Sequence, residues 1–254
     1  MVSAPVWLPD WRDVAAYRFE RLDRAGFAWE WLRRDPAYRE AAGFAGPREN
    51  GDADAAAAQW GLVRFEPAEF AAPAARPLWR AANDCEALAA DMLMPAEGQG
   101  AALPLAQLGH LCTRSDAPGV AHILLCDGWR RLRIDLHGVF DPGPPVPRWR
   151  LTGLAIQPQL RSLRRLVSLA RSGLFASRLW PCDPRVRRWI LALRAHDALV
   201  AGEGTRAIAM LLGGEVRGPR WRIADPSLRL RAQRLVALAR TLPGPCFAER
   251  YLRS

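Results

Sequence analysis

Lysine is absent from this chain of 254 residues, so all 36 of its basic residues are arginines. A genome rich in G and C favours arginine codons, and that bias accounts for the missing lysine. It does not account for the scarcity of acidic residues in one part of the chain. Residues 151–254 contain 19 arginines and 6 acidic residues, whereas residues 1–150 contain 17 arginines and 20 acidic residues. Such a cationic region is typical of a protein that binds a polyanion, because arginine can donate two parallel hydrogen bonds to a phosphate or a guanine.

The sequence has little that would support a disulfide framework, a metal site or a catalytic centre. Its five cysteines include no C-x-x-C pair, and its four histidines are scattered along the chain without the clustered spacing of a zinc site. We therefore expect reduced, mostly buried thiols and no structural zinc. The motifs G-x-G-x-x-G, G-x-x-x-x-G-K-[ST] and G-x-S-x-G are missing as well. We predict that the protein is not an enzyme and that it needs no cofactor.

Long hydrophobic runs are also lacking. No stretch of about 18 uncharged apolar residues occurs, and the N-terminus has no basic start followed by an apolar run. Half of the residues are apolar and 24% are charged, which is a globular composition. We expect a cytoplasmic protein without membrane contact, large enough for one large or two modest domains.

Aspartate followed by proline predicts the start of a helix at three places, because aspartate caps a helix and proline fits its first turn. The three pairs begin at Asp35, Asp183 and Asp225. The second helix is predicted to end at Val200 before Gly202, and the third at about Leu242. Further helices are predicted over residues 11–23, 27–32, 158–171 and 205–212, with Asp10 and Thr205 as caps of the first and last.

Strands are predicted only in the middle of the chain. Residues 120–125 form a short apolar run, and residues 129–136 alternate in polarity after Asp127-Gly128, which predicts a β-hairpin with a two-residue turn. Residues 140–148 form a Pro/Gly-rich connector, with a strand possible at residues 151–154, whereas residues 43–58 and 60–80 are predicted to lack regular structure.

These elements predict an α+β fold that is predominantly α. It comprises a helical domain over residues 1–84, a connector region with a small β-hairpin over residues 85–150, and a helix-turn-helix-like domain over residues 151–254.

The C-terminal helices have the layout of a DNA-binding helix-turn-helix. A long helix, a four-residue turn with glycine and a short helix follow one another. On the last helix, an apolar stripe lies opposite a face rich in arginine and glutamine, the side chains that form paired hydrogen bonds with guanine and adenine. No acidic residue occurs between Asp225 and Glu249, whereas a face that is merely solvated normally alternates in charge sign. The predicted DNA-contacting residues are Arg187, Arg188, Thr205, Arg206, Arg220, Arg222, Ser227, Arg229, Arg231, Gln233 and Arg234.

Several N-terminal residues and one histidine could serve either the packing of the fold or the binding of nucleic acid. Trp11, Trp29, Trp31 and Trp60 are predicted to anchor the N-terminal core rather than to stack on bases, because their surroundings are nearly neutral. The Arg33-Arg34 pair could join a DNA surface. His196, beside Asp197 within a helix, is predicted to be a satisfied surface residue.

Two parts of the chain resemble a family of bacterial regulators. Residues 185–214, with Trp221 and residues 225–239, resemble the RovC-type DNA-binding domain. Residues 9–42 and 60–67 are similar to the transcriptional-regulator-like domain that precedes it in such proteins. The resemblance implies a bacterial transcriptional regulator, often an activator, commonly found on mobile elements or near secretion loci. The family's short helix usually carries glutamate after its arginine, whereas Ala207 follows Arg206 in this chain.

We therefore predict a regulator that binds double-stranded DNA, with RNA polymerase as a candidate partner. Two alternatives stay open, which are an adaptor or anti-activator that acts through protein contacts alone, and an RNA-binding protein. One helix-turn-helix contacts too few base pairs to select a single genomic site. We therefore expect a homo-oligomer held by residues 1–80. Phe19, Phe27, Trp29, Trp31 and Tyr38 have more apolar surface than three short helices can bury among themselves. We expect that surface to form the interface between subunits.

Overall fold

The structure, a computed structural model, describes residues 7–44, 51–93, 107–138, 146–151, 156–213, 216, 221–241 and 252. Helices occupy both ends of the chain, and strands occupy the middle. The helices are α1 (Arg24–Leu32), α2 (Pro36–Phe44), α3 (Gly51–Ala58), α4 (Ile156–Ser172), α5 (Val186–Val200), α6 (Thr205–Leu211), α7 (Trp221–Ala224) and α8 (Pro226–Thr241). The strands are β1 (Leu88–Leu93), β2 (Cys112–Ala117), β3 (Val120–Cys126), β4 (Arg131–His137) and β5 (Val146–Arg150).

The strands form one five-stranded mixed sheet in the order β2-β3-β4-β1-β5. The predicted hairpin is confirmed as β3 and β4, which pair antiparallel from Val120 opposite His137 to Cys126 opposite Arg131. Its turn has four residues rather than two, because the Asp127 carboxylate accepts the N–H groups of Trp129 and Arg130. The hairpin is thus only part of a larger sheet. The prediction missed β1 because its parallel pairing with β4 joins residues far apart in sequence.

Strand β5 lies where the sequence indicated a connector. It covers Val146–Arg150 and pairs antiparallel with β1. Proline in a strand is compatible with an edge position, because an edge strand leaves some N–H groups unused; Pro147 lies in this edge strand. The strand considered at residues 151–154 lies mostly outside the described residues.

The N-terminal helices differ from the prediction at two places. Residues 11–23 contain only a short 3₁₀ helix, Val14–Tyr17, because the Asp10 and Asp13 carboxylates accept nearby backbone N–H groups and compete with α-helix formation. Asp23 instead caps α1 through the N–H of Gly26. The second difference is α3, which lies in the segment predicted to be a loop.

Two hydrophobic cores organise the chain. The first joins N-terminal aromatic residues to α5, α6 and α8, and the second joins the sheet to α4 through Leu166 and Leu169. Helix α4, which the sequence grouped with the C-terminal domain, thus packs on the sheet. The first 80 residues share their core with the last helices of the same chain. The division into three domains stays a prediction.

The N-terminal aromatic residues are covered within a single chain. Phe27 meets the ring of Trp189 on α5 at 5.1 Å between centroids, and Trp31 meets His196 at 5.6 Å. None of the five residues expected to form an oligomer interface is more than 6% exposed. That premise of the oligomer prediction was wrong, because α5 covers Phe27 and Trp31, and residues 60–70 cover Trp29 and Tyr38.

The described tryptophans and cysteines follow the predictions in part. Trp11, Trp29 and Trp31 are buried as expected, and Trp60 is half-buried against Tyr38. The four described cysteines are free thiols, but only Cys126 is buried, so the expectation of mostly buried thiols was wrong. Within the described part of the chain, no helix is long and apolar enough to cross a bilayer.

Candidate nucleic-acid interface

A tight glycine turn connects α5 to α6. The N–H of Gly202 bonds to the carbonyl of Leu199 at 3.0 Å, and the N–H of Glu203 bonds to the carbonyl of Ala198 at 2.9 Å. These two bonds form a Schellman motif, which needs a residue with positive φ directly after the helix cap. Gly202 has φ +83°, a conformation that costs glycine little. The predicted end of α5 is confirmed, and the turn fixes the angle at which α6 leaves it.

Thr205 was predicted to cap α6 from outside the helix, but α6 begins at Thr205 itself, one residue earlier than that prediction. Gly204 holds the cap position in extended backbone, and Thr205 is the first helical residue, without a capping side-chain bond. Ala207, Ile208 and Ala209 are buried against the first core. The exposed Arg206 donates to the carbonyl of Val216 at 3.2 Å. The short helix therefore buries three small apolar residues and leaves Arg206 at the surface.

Helix α8 begins as the Asp-Pro pair predicted. The Asp225 carboxylate accepts the N–H of Leu228 at 2.8 Å, and Pro226 is the first helical residue. The helix packs against both α5 and α6. Of its predicted apolar stripe, Leu228, Ala232, Leu235 and Ala239 are buried, and the fifth member, Leu242, lies outside the described residues. Val236 is buried as well.

The polar side chains of α8 form two rows rather than one face. Successive helical positions are rotated by about 100°, so residues three, four, seven or eleven apart share a side. One row consists of Arg229, Gln233 and Arg240, and the other consists of Ser227, Arg231 and Arg234. Leu230, 45% exposed, and Ala237 separate the two rows. A groove-bound α8 would therefore present one row to each wall of the groove.

Arg229 differs from the other arginines of α8. It is half-buried, and its Nε atom is buried without a hydrogen-bond acceptor among the described residues. A buried donor without an acceptor is unfavourable. Part of the Arg229 side chain is thus held against the protein, unlike the exposed arginines of the same helix.

The remaining predicted DNA-contacting residues lie on α5 and α7 or outside the described residues. Arg187 and Arg188 are exposed in the first turn of α5, where Asp183 accepts the N–H of Arg185 at 2.9 Å. Arg222 lies in α7, and Arg220 lies outside the described residues. Across the described residues, no acidic side chain forms an ion pair with any of Arg187, Arg188, Arg206, Arg229, Arg231, Arg234 and Arg240.

The N-terminal Arg33-Arg34 pair belongs to the interior, so its assignment to a DNA surface was wrong. Both residues are at most 3% exposed. Arg33 donates to Glu30 at 2.9 Å and to the carbonyl of Ala68. Arg34 donates to Glu30 and to Asp197 of α5. The sequence could not distinguish this pair from exposed arginines, because Asp197, the partner of Arg34 on α5, lies more than 160 positions away.

Asp197 and His196 are buried, which corrects the prediction of a surface histidine. Asp197 accepts hydrogen bonds from Arg34, His196 and the Tyr17 hydroxyl, the last at 2.6 Å. Burial opposes ionisation of Asp197, but the charge of Arg34 and these hydrogen bonds outweigh it and hold the pKa well below its usual range. The N-terminal segment and α5 are thus joined by a buried, charged network.

Comparison with known families identifies the N-terminal segment. Residues 10–65, from Asp10 through α1, α2 and α3 to Phe65, match the Proteobacterial transcriptional regulator-like domain. Neither the curated proteins nor the solved structures contain a significant match to this chain. The similarity of residues 9–42 to a transcriptional-regulator-like domain is confirmed, and the matched domain points to a role in the regulation of transcription.

Proposed function

We propose that the protein is a sequence-specific regulator of transcription that binds double-stranded DNA through α5, α6 and α8. The observation that carries the proposal is the set of arginines on these three helices that lack acidic partners among the described residues, in a chain with a regulator-like domain. Elsewhere in the same chain, arginines that serve the fold are buried and paired, as Arg33, Arg34 and Arg131 are. The guanidinium groups without acidic partners are therefore available to phosphates and bases.

Two features support α8 as the helix that contacts bases. Its exposed side combines arginine and glutamine, which form paired hydrogen bonds with guanine and adenine. Its buried stripe rests on α5 and α6, and a rigid support of this kind holds a recognition helix in a fixed orientation. Arg187 and Arg188 on α5, with Arg206 on α6, would then contact the DNA backbone and position the protein.

The resemblance of residues 185–239 to the RovC-type DNA-binding domain supports the same assignment and favours an activator. An activator would contact RNA polymerase, and a two-fold or higher oligomer would supply enough base contacts for one genomic site. RNA polymerase and further copies of this chain are therefore the partners that we propose.

Fluorescence anisotropy tests the proposal with three labelled probes, which are a duplex from upstream of the protein's own gene, a random duplex and single-stranded RNA. The upstream duplex should bind at least about 1,000-fold more tightly than the random duplex at physiological salt. The logarithm of the affinity should fall by about 0.9 for each neutralised phosphate per tenfold rise in salt. Preference for the RNA would indicate an RNA-binding protein, and absence of all binding would favour an adaptor.

A further inference from the structure

Helix α4 has an apolar stripe on a side that does not face the sheet. The helix packs on β1 and β4 through buried residues that include Leu166 and Leu169. Ile156, Leu160 and Val167 are instead 41%, 43% and 53% exposed. Successive helical positions turn by about 100°, so these three residues lie within about 40° of one another around the helix axis. Helix α4 is therefore apolar on two sides, one inside the fold and one at the surface.

The spacing of the exposed stripe is that of a helix–helix contact. The stripe has four members at steps of four, three and four positions, namely Ile156, Leu160, Leu163 and Val167. Two helices that pack along a shared seam have this spacing. Leu163 is half-buried against the second core and connects the stripe to the interior. Single apolar residues at a surface are common, whereas a contiguous exposed apolar surface marks an interaction site. The stripe therefore has the form of one half of a helix pair.

The charge beside the stripe indicates the charge of the partner. Helix α4 contains four arginines and no acidic residue. Arg161 and Arg165 lie near Glu86, with N–O distances of 3.5 and 2.7 Å. Arg164 and Arg171 are exposed along one edge of the stripe and form no ion pair with any described residue. Arginines beside an apolar seam favour a partner helix with carboxylates at the facing positions, because opposite charges that flank a seam set the choice of partner.

Two other occupants fit this surface less well. A second copy of the chain would align α4 with another α4, and arginines would then meet arginines, because the helix has no acidic residue to pair with them. A lipid surface binds helices with a broad apolar face that commonly includes aromatic residues. This stripe is about one side chain wide and wholly aliphatic. An acidic helix therefore matches both the apolar spacing and the charge.

We propose that α4 docks an amphipathic α-helix of a partner protein, with aliphatic residues along its contact side and aspartate or glutamate beside them. The aliphatic residues of the partner pack against Ile156, Leu160 and Val167, and its carboxylates pair with Arg164 and Arg171. The docking site lies on a different helix from the proposed DNA contacts of α5, α6 and α8. It therefore does not depend on the proposed DNA binding.

Fluorescence anisotropy with labelled peptides and the full-length protein tests the proposal. The acidic probe is a helical peptide about three heptads long, with leucine at the apolar positions and glutamate on both flanks. The basic probe has lysine in place of each glutamate. We expect saturable binding of the acidic probe with a Kd of about 100 μM or lower, and binding at least about tenfold weaker for the basic probe. Absence of acidic-probe binding, or equal binding of both probes, would overturn the proposal.

A substitution within the stripe locates the binding site. Val167→Asn removes an apolar contact without a change of charge, and it should weaken binding of the acidic probe by about tenfold. The matched control is Val14→Asn, because Val14 is 66% exposed in the 3₁₀ helix near the N-terminus. The control should bind the probe as wild type does, and circular dichroism should show that both variants are folded. An unchanged affinity in Val167→Asn, or an equal loss in Val14→Asn, would overturn the site.

Reversal of the flanking charge separates a specific helix pair from a general attraction between a basic protein and an acidic peptide. Arg164→Glu combined with Arg171→Glu should weaken acidic-probe binding by about tenfold and strengthen basic-probe binding by at least about tenfold. The matched control combines Arg18→Glu with Arg80→Glu, which changes the net charge equally at two exposed N-terminal positions. The control should alter neither affinity. Equal effects in the two double variants would overturn the assignment of an acidic helix.

Two further measurements test the other occupants. Wild-type protein that binds vesicles of phosphatidylserine and phosphatidylcholine but neither peptide would overturn the proposal in favour of a lipid surface. Sedimentation that shows a dimer of the wild type and a monomer of Val167→Asn would overturn it in favour of a second copy of the chain. We expect no vesicle binding that depends on Val167, and the same oligomeric state for wild type and variant.

Discussion

Arg34 and Asp197 form a two-point ion pair at the centre of the first core. The Nε and Nη2 atoms of Arg34 each donate to a different oxygen of Asp197 at 2.8 Å. Arg34 follows α1 in the regulator-like segment, and Asp197 lies on α5 of the proposed DNA-binding helices. A buried pair of this geometry is costly to break from one side, because the remaining charge has no water to solvate it. It therefore holds the two parts of the chain in one arrangement.

Replacing Asp197 by asparagine should strongly destabilise the fold. Asp197→Asn leaves the buried Arg34 with only Glu30, which it shares with Arg33, and we expect the free energy of unfolding to fall by about 3–5 kcal/mol. Urea denaturation followed by tryptophan fluorescence measures the change. The matched control is Asp116→Asn, which breaks an exposed pair with Arg114 and should cost less than about 1 kcal/mol. Similar losses in both variants would contradict the role of the buried pair.

The Arg34–Asp197 pair also predicts acid sensitivity. The folded-state pKa of Asp197 is lowered, so its contribution to stability is complete above the unfolded-state pKa of about 3.9 and is lost as the pH falls below that value. Wild-type protein should therefore lose stability steeply below about pH 4, and Asp197→Asn should lose less over the same interval. Denaturation midpoints between pH 3 and pH 6 provide the measurement. Parallel curves for the two proteins would contradict the prediction.

Asp84 predicts the opposite dependence near neutral pH. Its folded-state pKa is raised to about 7, so the folded state holds a proton that the unfolded chain releases, and stability falls as the pH rises from about 4 to about 7. Asp84→Asn should flatten this part of the profile. At pH 8 it should add about 1–2 kcal/mol to the free energy of unfolding, less than the full shift because the group is half-buried. A variant profile with the wild-type slope would refute this role.

The polar side chains of α8 predict losses of DNA binding that depend on the DNA sequence. Gln233→Ala, Arg229→Ala and Arg234→Ala should each weaken binding to a specific site by about 1–3 kcal/mol and relax preference at one base position if that side chain contacts a base. Arg164→Ala, an exposed arginine on α4, should at most weaken all sequences alike. Anisotropy with specific and random duplexes separates these outcomes. Equal losses on both duplexes for all three α8 variants would show that α8 does not discriminate bases.

The shared core predicts that the C-terminal region does not fold alone. Residues 151–254 without the N-terminus would expose Trp189 and the buried face of α5, which meets Phe27 and Trp31 in the intact chain. We expect this fragment to unfold without a cooperative transition in urea, whereas the full chain unfolds cooperatively. The full-length Asp116→Asn protein is again a suitable folded control. A sharp transition for the fragment, with native-like near-ultraviolet circular dichroism, would contradict the prediction.

Local sequence features determined much of the C-terminal architecture. Asp225-Pro226 and Gly202 placed helix boundaries correctly, because capping and positive φ depend on a few adjacent residues. The β3–β4 hairpin was predictable for the same reason. The arginine-rich side of α8 and the apolar stripe opposite it were also evident from helical spacing alone.

Only the tertiary structure decided which charges are buried and which are free. Arg33 and Arg34 resemble Arg187 and Arg188 in sequence, but the first pair is enclosed and the second is exposed. The parallel pairing of β1 with β4 and the shared core likewise depend on contacts between distant residues. Local sequence patterns specify whether a residue lies in a helix or in a strand. The environment of its side chain depends on which distant element packs over it.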